Sequence, residues 1–254
     1  MVQNKIYIYG KHAVSEAIVN SPDAIELVSF TSYFDDEALK KVIEAGAGKA
    51  GIKIGTFEPN KPPKDFDVSA THQGVIALIS LDKLMKPFKE FLAGLKVGTD
   101  TSLVILGEIQ DPQNVGAVIR SASAFGLGAV LIPEHNQAPI TGTVVKVSAG
   151  QAFRIPLVSV GNINNAVRDL KAKGFWIYGL DETATTSIVD EKFDAPTVFI
   201  LGNEAKGLRE KTRELCDILL SIPMSPRCES LNAAASAAVA FYAWGAKRDV
   251  NGIK

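Results

Sequence analysis

After residue 100 the chain carries six short runs that are apolar at nearly every position: 103–106, 129–132, 157–160, 175–179, 197–201 and 218–221. A strand with one wet face alternates apolar and polar residues, whereas an unbroken apolar run needs cover on both faces. Stretches of helical spacing fill the gaps, notably 115–125, 163–172 and 231–247. This pattern predicts an α/β domain over residues 101–254, built on a mostly parallel, helix-flanked sheet.

The region before it, 1–81, is a smaller α/β unit. Helical character is expected at 11–19 and 36–45, strands at 25–30, 52–57 and 74–81, and a Pro-rich loop at 59–63. A lysine-rich linker, 82–100, separates the two regions. It reads as a loop followed by a short amphipathic helix, because Phe88, Phe91, Leu92 and Leu95 fall at helical spacing.

Composition narrows the functional classes. A hydrophobic fraction of 46% and a charged fraction of 22% allow a full core in one large domain or two small ones. The longest apolar stretch, 231–246, is broken by Ser236 and is shorter than the ~20 residues a bilayer span needs. The start, MVQNKIYIYG, lacks the basic segment and apolar core of a signal peptide, so a cytoplasmic protein without a membrane anchor is expected. Cys216 and Cys228, with His12, His72 and His135 scattered, give no metal-ligand spacing and suit free thiols in a reducing compartment. Net charge is −1, not the basic footprint usual of nucleic-acid binders. Yet all seven arginines (Arg120, Arg154, Arg168, Arg209, Arg213, Arg227 and Arg248) follow residue 100, and guanidinium forks suit phosphates.

The common nucleotide-binding fingerprints are missing: no GxGxxG opens a helix after a strand, and there is no GxxxxGK[ST] loop. Gly126-Leu-Gly128 follows a helix and reads as its C-cap. Three other segments sit at strand ends, the ligand side of a parallel sheet. The first is Asp111-Pro-Gln-Asn114-Val-Gly116-Ala-Val-Ile-Arg120, with Asn114 as a candidate N-cap and Gly116 and Arg120 one turn apart on one face. The second is Leu201-Gly202-Asn203-Glu204-Ala-Lys206-Gly207-Leu208, two glycines around a carboxylate. The third is Ser221-Ile222-Pro223-Met224, then Glu229-Ser230-Leu231-Asn232 and an Ala-rich helix. Taken singly, these also read as a capped surface helix, a plain βα turn and an Ala-rich core helix.

In this order the three segments resemble the signature motifs of the SpoU/TrmH family of RNA ribose methyltransferases, of the SPOUT class. The likeness covers residues 101–254. The first region resembles that family's ribosomal-protein-like RNA-binding domain through Tyr9-Gly10-Lys11-His12-Ala13-Val14 and His72-Gln73-Gly74-Val75. The resemblance implies a deep trefoil knot, which the strand and helix pattern alone would exclude, since threaded chains are almost absent from folds. It also implies a homodimer formed through the knot region, here expected to use 231–247, where Phe241 and Trp244 would otherwise face water. S-adenosylmethionine is implied as cofactor, held by Leu201, Gly202, Ile222, Leu231 and Asn232, with no metal.

By the same resemblance Arg120 is the catalytic arginine, with Asn114, Glu204, Ser230 and Asn232 completing the site. An arginine is a poor base, so orientation of a phosphate is its physically easier role. The chain departs from the family at Phe153, where an acidic residue is common, and at Glu229. The two-domain layout is closest to the branch that methylates a guanosine of large-subunit ribosomal RNA. A transfer-RNA ribose methyltransferase and a non-catalytic ribosome-assembly factor are the alternatives.

Overall fold

A computed structural model describes residues 4–64, 66–67, 70–203, 206–228 and 230–247; Glu204, Glu229 and Arg248 lie outside the described residues. The chain divides into two compact units, Met1–Met85 with Pro139–Arg154, and Lys86–Ala138 with Ile155–Lys254.

The first unit begins with strand β1 (Lys5–Tyr9), a strand that the expectations above do not include, then helix α1 (Lys11–Asn20) and strand β2 (Ile25–Phe30). Helix α2 (Glu37–Ala50), strands β3 (Lys53–Thr56) and β4 (Val75–Ser80) and the short helix α3 (Leu81–Leu84) follow. The sheet order is β1-β4-β2-β3; β4 runs antiparallel to both neighbours, while β2 and β3 are parallel. Helix α2 starts where expected, because the Asp36 side chain accepts from the Leu39 N–H. It runs past residue 45 through Gly46 and Gly48, since its packing against α1 outweighs glycine's low propensity.

Strand β5 (Met85–Pro87), which spans the boundary at Met85, and helix α4 (Phe88–Gly94) open the second unit. The 82–100 stretch therefore contains a strand as well as the expected helix, and Phe88, Phe91, Leu92 and Leu95 pack against the main core. Next come β6 (Ser102–Leu106), α5 (Pro112–Ala124) and β7 (Ala129–Pro133). Helix α6 (Gly142–Val147) belongs to the first unit, where it packs on β1. The sequence reading placed residues 139–154 with the second region, but chain position does not decide which core Val144, Val145 and Phe153 join; all three are buried.

The remaining elements are β8 (Leu157–Val160), α7 (Ile163–Ala172), β9 (Trp176–Leu180), β10 (Thr186–Ser187) and β11 (Thr197–Leu201), then α8 (Glu210–Arg213), β12 (Ile218–Ser221) and α9 (Ala233–Ala246). They complete an eight-stranded sheet ordered β10-β12-β9-β11-β6-β7-β8-β5. The pairings from β10 through β8 are parallel. Strands β6, β7 and β11 are buried at every position, as their unbroken apolar runs require.

Helix α5 ends with Gly126 at φ 75°, so this glycine is the helix stop expected from sequence. Helix α9 packs on α5 and buries Phe241 and Trp244 inside its own unit. This corrects the sequence argument that these two rings need a second subunit; the exposed large apolar side chains of the helix are Val239 and Tyr242.

Candidate active site

Because β9, β11 and β12 are adjacent and parallel, their carboxyl ends, Leu180, Leu201 and Ser221, lie at one edge of the sheet. A cleft of ≈ 680 Å³ opens there. Leu201, Gly202, Ile222, Ser230, Leu231 and Asn232, all named from the sequence, line it. Asp181, Thr183, Met224 and Arg213, none of them among the site residues expected from the sequence, line it too. Asp181 and Thr183 follow β9, which carries no motif, so only the strand order reveals them.

The turn after β11 is closed on itself. Asn203 N–H donates to the Gly207 carbonyl at 3.0 Å and Gly207 N–H to the Asn203 carbonyl at 2.8 Å, with Gly207 at φ 63°. A Cβ on Gly202 would lie 2.5 Å from the Gly207 carbonyl carbon and 2.7 Å from the Leu208 nitrogen, so no side chain fits. At the end of β6, a Cβ on Gly107 would lie 2.1 Å from the Leu201 oxygen. Two bare backbone edges thus touch where the first and second motifs begin.

Glu108 fastens this contact. Its carbonyl accepts from Asn203 Nδ2 at 2.8 Å, and its carboxylate meets the Arg209 guanidinium at 2.8 Å. Glu108 holds φ 67°, a left-handed conformation uncommon for a non-glycine residue.

The first motif differs in one detail from expectation. The N-cap of α5 is Asp111, whose side chain accepts from the Gln113 N–H at 2.8 Å, with Pro112 in the first helical position. Asn114 therefore lies inside the first turn, where it is buried and does not cap the helix. Its Oδ1 accepts from Asn232 Nδ2 at 2.8 Å. Asn232 in turn caps α9, accepting from the Ala234 and Ala235 N–H groups at 2.8 and 3.3 Å. The first and third motifs are joined by this one hydrogen bond at the cleft rim. Gly116 is buried, while Arg120, one turn on, is exposed and forms no ion pair among the described residues. Neither Arg120 nor Asn114 lines the cleft itself.

Charge at the cleft is balanced. The Asp181 carboxylate lies 3.0 Å from the Arg213 guanidinium. Burial opposes its ionisation, but the hydroxyl and backbone N–H of Thr183, with Arg213, outweigh burial and hold the carboxyl below its ordinary range. Cys216, half-buried nearby on the chain, has its thiol pushed up to about 12 by burial first and the Asp217 charge second. Among the described residues no group of His, Cys, Asp and Glu could hold a metal ion, and no helix is long and apolar enough to cross a membrane. Of the two departures, Phe153 is a buried residue of the first unit, and its neighbour Arg154 pairs with Glu16 at 2.6 Å.

Fold and cleft together define a parallel α/β enzyme-like domain whose ligand site is made by strand-end loops rather than by a glycine-rich phosphate loop. Residues 101–242 match the SpoU rRNA methylase family, and residues 7–84 match the substrate-binding domain of RNA 2′-O ribose methyltransferases. The chain belongs to the SpoU rRNA methylase family. A 23S rRNA (guanosine-2′-O-)-methyltransferase of Xylella fastidiosa is 39% identical over 93% of this chain and 94% of its own length. Its counterpart in Xanthomonas axonopodis is 36% identical over 95% and 96%. A TrmH-family tRNA/rRNA methyltransferase of Staphylococcus epidermidis is 32% identical over 93% and 94%. Among solved structures, the SpoU methyltransferase AviRb of Streptomyces viridochromogenes superposes with a TM-score of 0.80 at 23% identity, covering 96% of this chain and 90% of that one. The same protein in complex with AdoMet gives 0.79.

Proposed function

We propose that this chain methylates the 2′-oxygen of a guanosine ribose in 23S rRNA, using S-adenosylmethionine. The observation that carries this reading is the likeness to 23S rRNA guanosine-2′-O-methyltransferases over more than nine-tenths of the chain, with Leu201, Gly202, Ile222, Ser230, Leu231 and Asn232 of this chain on one cleft.

The cleft suits the cofactor. Its volume of ≈ 680 Å³ falls in the range of small-molecule sites. Leu201, Ile222 and Leu231 offer apolar cover for a purine, and the bare backbone at Gly202 offers peptide groups at close range. S-adenosylmethionine, when bound, supplies a methyl group already activated on a sulfonium. The chain's own residues then have to align the ribose hydroxyl and let its proton leave. Arg120, exposed at the end of the first motif, holds the phosphate next to that ribose through its planar fork. Asn114 and Asn232 fix the relation of the two loops, while Glu204 and Ser230 complete the polar set by family resemblance.

The rest of the reading follows the family. The chain is threaded as a deep trefoil knot, a topology compatible with β11 lying between β9 and β6 while α9 returns to α5. It acts in the cytoplasm as a homodimer through the face of α9 that exposes Val239 and Tyr242, and light scattering showing a monomer at micromolar concentration would reject that assembly. The function itself is tested by labelled-methyl transfer onto unmodified 23S rRNA and onto tRNA, followed by mapping of the modified ribose. Label confined to tRNA would move the substrate. Absence of both label and cofactor binding would favour a non-catalytic RNA-binding protein.

A further inference from the structure

The first unit holds a second cleft, of ≈ 530 Å³, between the β1–α1 turn, the loop after β2 and the turn before β4. Four features there point to a ligand. Tyr33 is 60% exposed on its loop, an aromatic ring presented to solvent at the cleft. Asp35, beside it, presents a carboxylate that is 87% exposed. Gln73 holds φ 53°, a left-handed conformation for a residue with a side chain, and is locked there by its Oε1, which accepts from Lys11 N–H at 3.1 Å. His72 Nδ1 accepts from Gly74 N–H at 3.0 Å, which fixes the ring at the cleft.

The charges decide what kind of ligand fits. Lys11 Nζ, the cation of this cleft, lies 3.2 Å from Asp35 and 3.3 Å from Asp36. A phosphate would meet two carboxylates beside one ammonium, so this is a poor anion site. An exposed ring next to a largely exposed carboxylate, whose Oδ1 already takes the Lys11 ammonium, is instead suited to a nucleobase: the ring stacks, and the carboxylate accepts from base N–H groups. Guanine offers two such groups side by side, N1–H and the exocyclic amine; adenine and cytosine offer only the amine. The volume also lies within the roughly 300–1,000 Å³ of small-ligand sites.

We propose that this cleft binds one unstacked base of the RNA substrate, guanine by preference, stacked on Tyr33 and hydrogen-bonded to Asp35. The inference rests on the RNA-methylation reading above and assigns the first unit a base-reading site remote in sequence from the methyl-transfer motifs.

The test uses the full chain and an unmodified 23S rRNA transcript. Tyr33→Ala is expected to raise the KM for RNA about tenfold, the effect of losing one base stack. Turnover at saturation and S-adenosylmethionine affinity stay unchanged, and Tyr33→Phe keeps the wild-type KM. Asp35→Asn is expected to raise KM about fivefold without altering the slope of affinity against salt, because a base contact neutralises no phosphate. A KM within twofold of wild type in Tyr33→Ala overturns the proposal. Tighter RNA binding in Asp35→Asn overturns it too, since relief of charge repulsion would mark a phosphate site. If the wild-type chain methylates no RNA, the proposed function fails, and retention of the transcript by filter binding still reads the cleft: unchanged retention in Tyr33→Ala then rejects it independently.

Discussion

Asn232 Nδ2 lies 2.8 Å from Asn114 Oδ1, so one amide pair ties the start of α5 to the start of α9 across 118 positions of sequence. The same Asn232 side chain accepts from two backbone N–H groups of α9 through its Oδ1. Its two ends therefore do separate jobs, and substitution can separate them.

Asn232→Asp keeps the cap and replaces the donor with an oxygen that faces the Asn114 oxygen. Asn232→Ala loses both. The alanine variant should cost about 1–3 kcal/mol in chemical denaturation, from one cap and one buried acceptor stripped of its donor. The aspartate variant should recover the cap's share of that stability and still lose methyl transfer. Equal stability of alanine variant and wild type would show that the bond contributes nothing.

Gly202→Val places a side chain where a Cβ alone would meet backbone at 2.5 Å. The obstacles are peptide atoms of the closed turn, which cannot swing aside as a side-chain tip can. Calorimetry should show S-adenosylmethionine affinity falling by at least about tenfold, the close backbone approach being lost. Unchanged affinity would remove this turn from the cofactor site.

Arg120 is exposed and lies off the cleft lining. Arg120→Ala should lower methyl transfer by about 10² or more, in line with the loss of one group that stabilises or positions the reacting centre. Cofactor affinity should stay within a few-fold on the same folded preparation. Arg120→Lys keeps the charge but not the fork, and should remain impaired. Collapse of cofactor binding with normal turnover per bound cofactor would reverse this role.

The Glu16–Arg154 pair gives a pH prediction. Arg154 holds the Glu16 carboxyl below its ordinary value, chiefly by hydrogen bonding against the cost of burial. A carboxyl depressed in the folded state contributes stability that is present above its unfolded pKa, about 4.3, and is lost as pH falls through the folded value. Arg154 is half exposed, so solvent screening keeps the contribution small. Glu16→Gln should therefore be less stable than wild type at pH 7, and the two denaturation curves should converge as the pH drops well below the unfolded value. A gap that persists there would assign the loss to packing.

The apolar runs specified six of the eight strands of the second sheet, leaving out the short β5 and β10. A run such as 103–106 has no polar residue to give to solvent, so it had to be covered on both faces, and β6 is. Helix α7 and strands β8, β11 and β12 likewise follow from local pattern, as does the stop at Gly126, where a left-handed residue is needed. Motif likeness further picked out Leu201, Gly202, Ile222, Ser230, Leu231 and Asn232, which the fold brings to one cleft. Tertiary structure decided what depends on neighbours distant in sequence. Asn114 resembles a helix cap by residue type, yet Asp111 beside Pro112 takes that position and frees Asn114 to bind Asn232. Phe241 and Trp244 looked like an interface only because the sequence does not show that α9 packs on α5 and that Phe241 meets the Phe199 ring of β11. Asp181 joins the cleft because β9 is placed between β11 and β12, an order set by long-range packing and carried by no local signal. Periodicity records which faces of an element must avoid water; which partner covers each face is fixed only when all the elements compete for the same core.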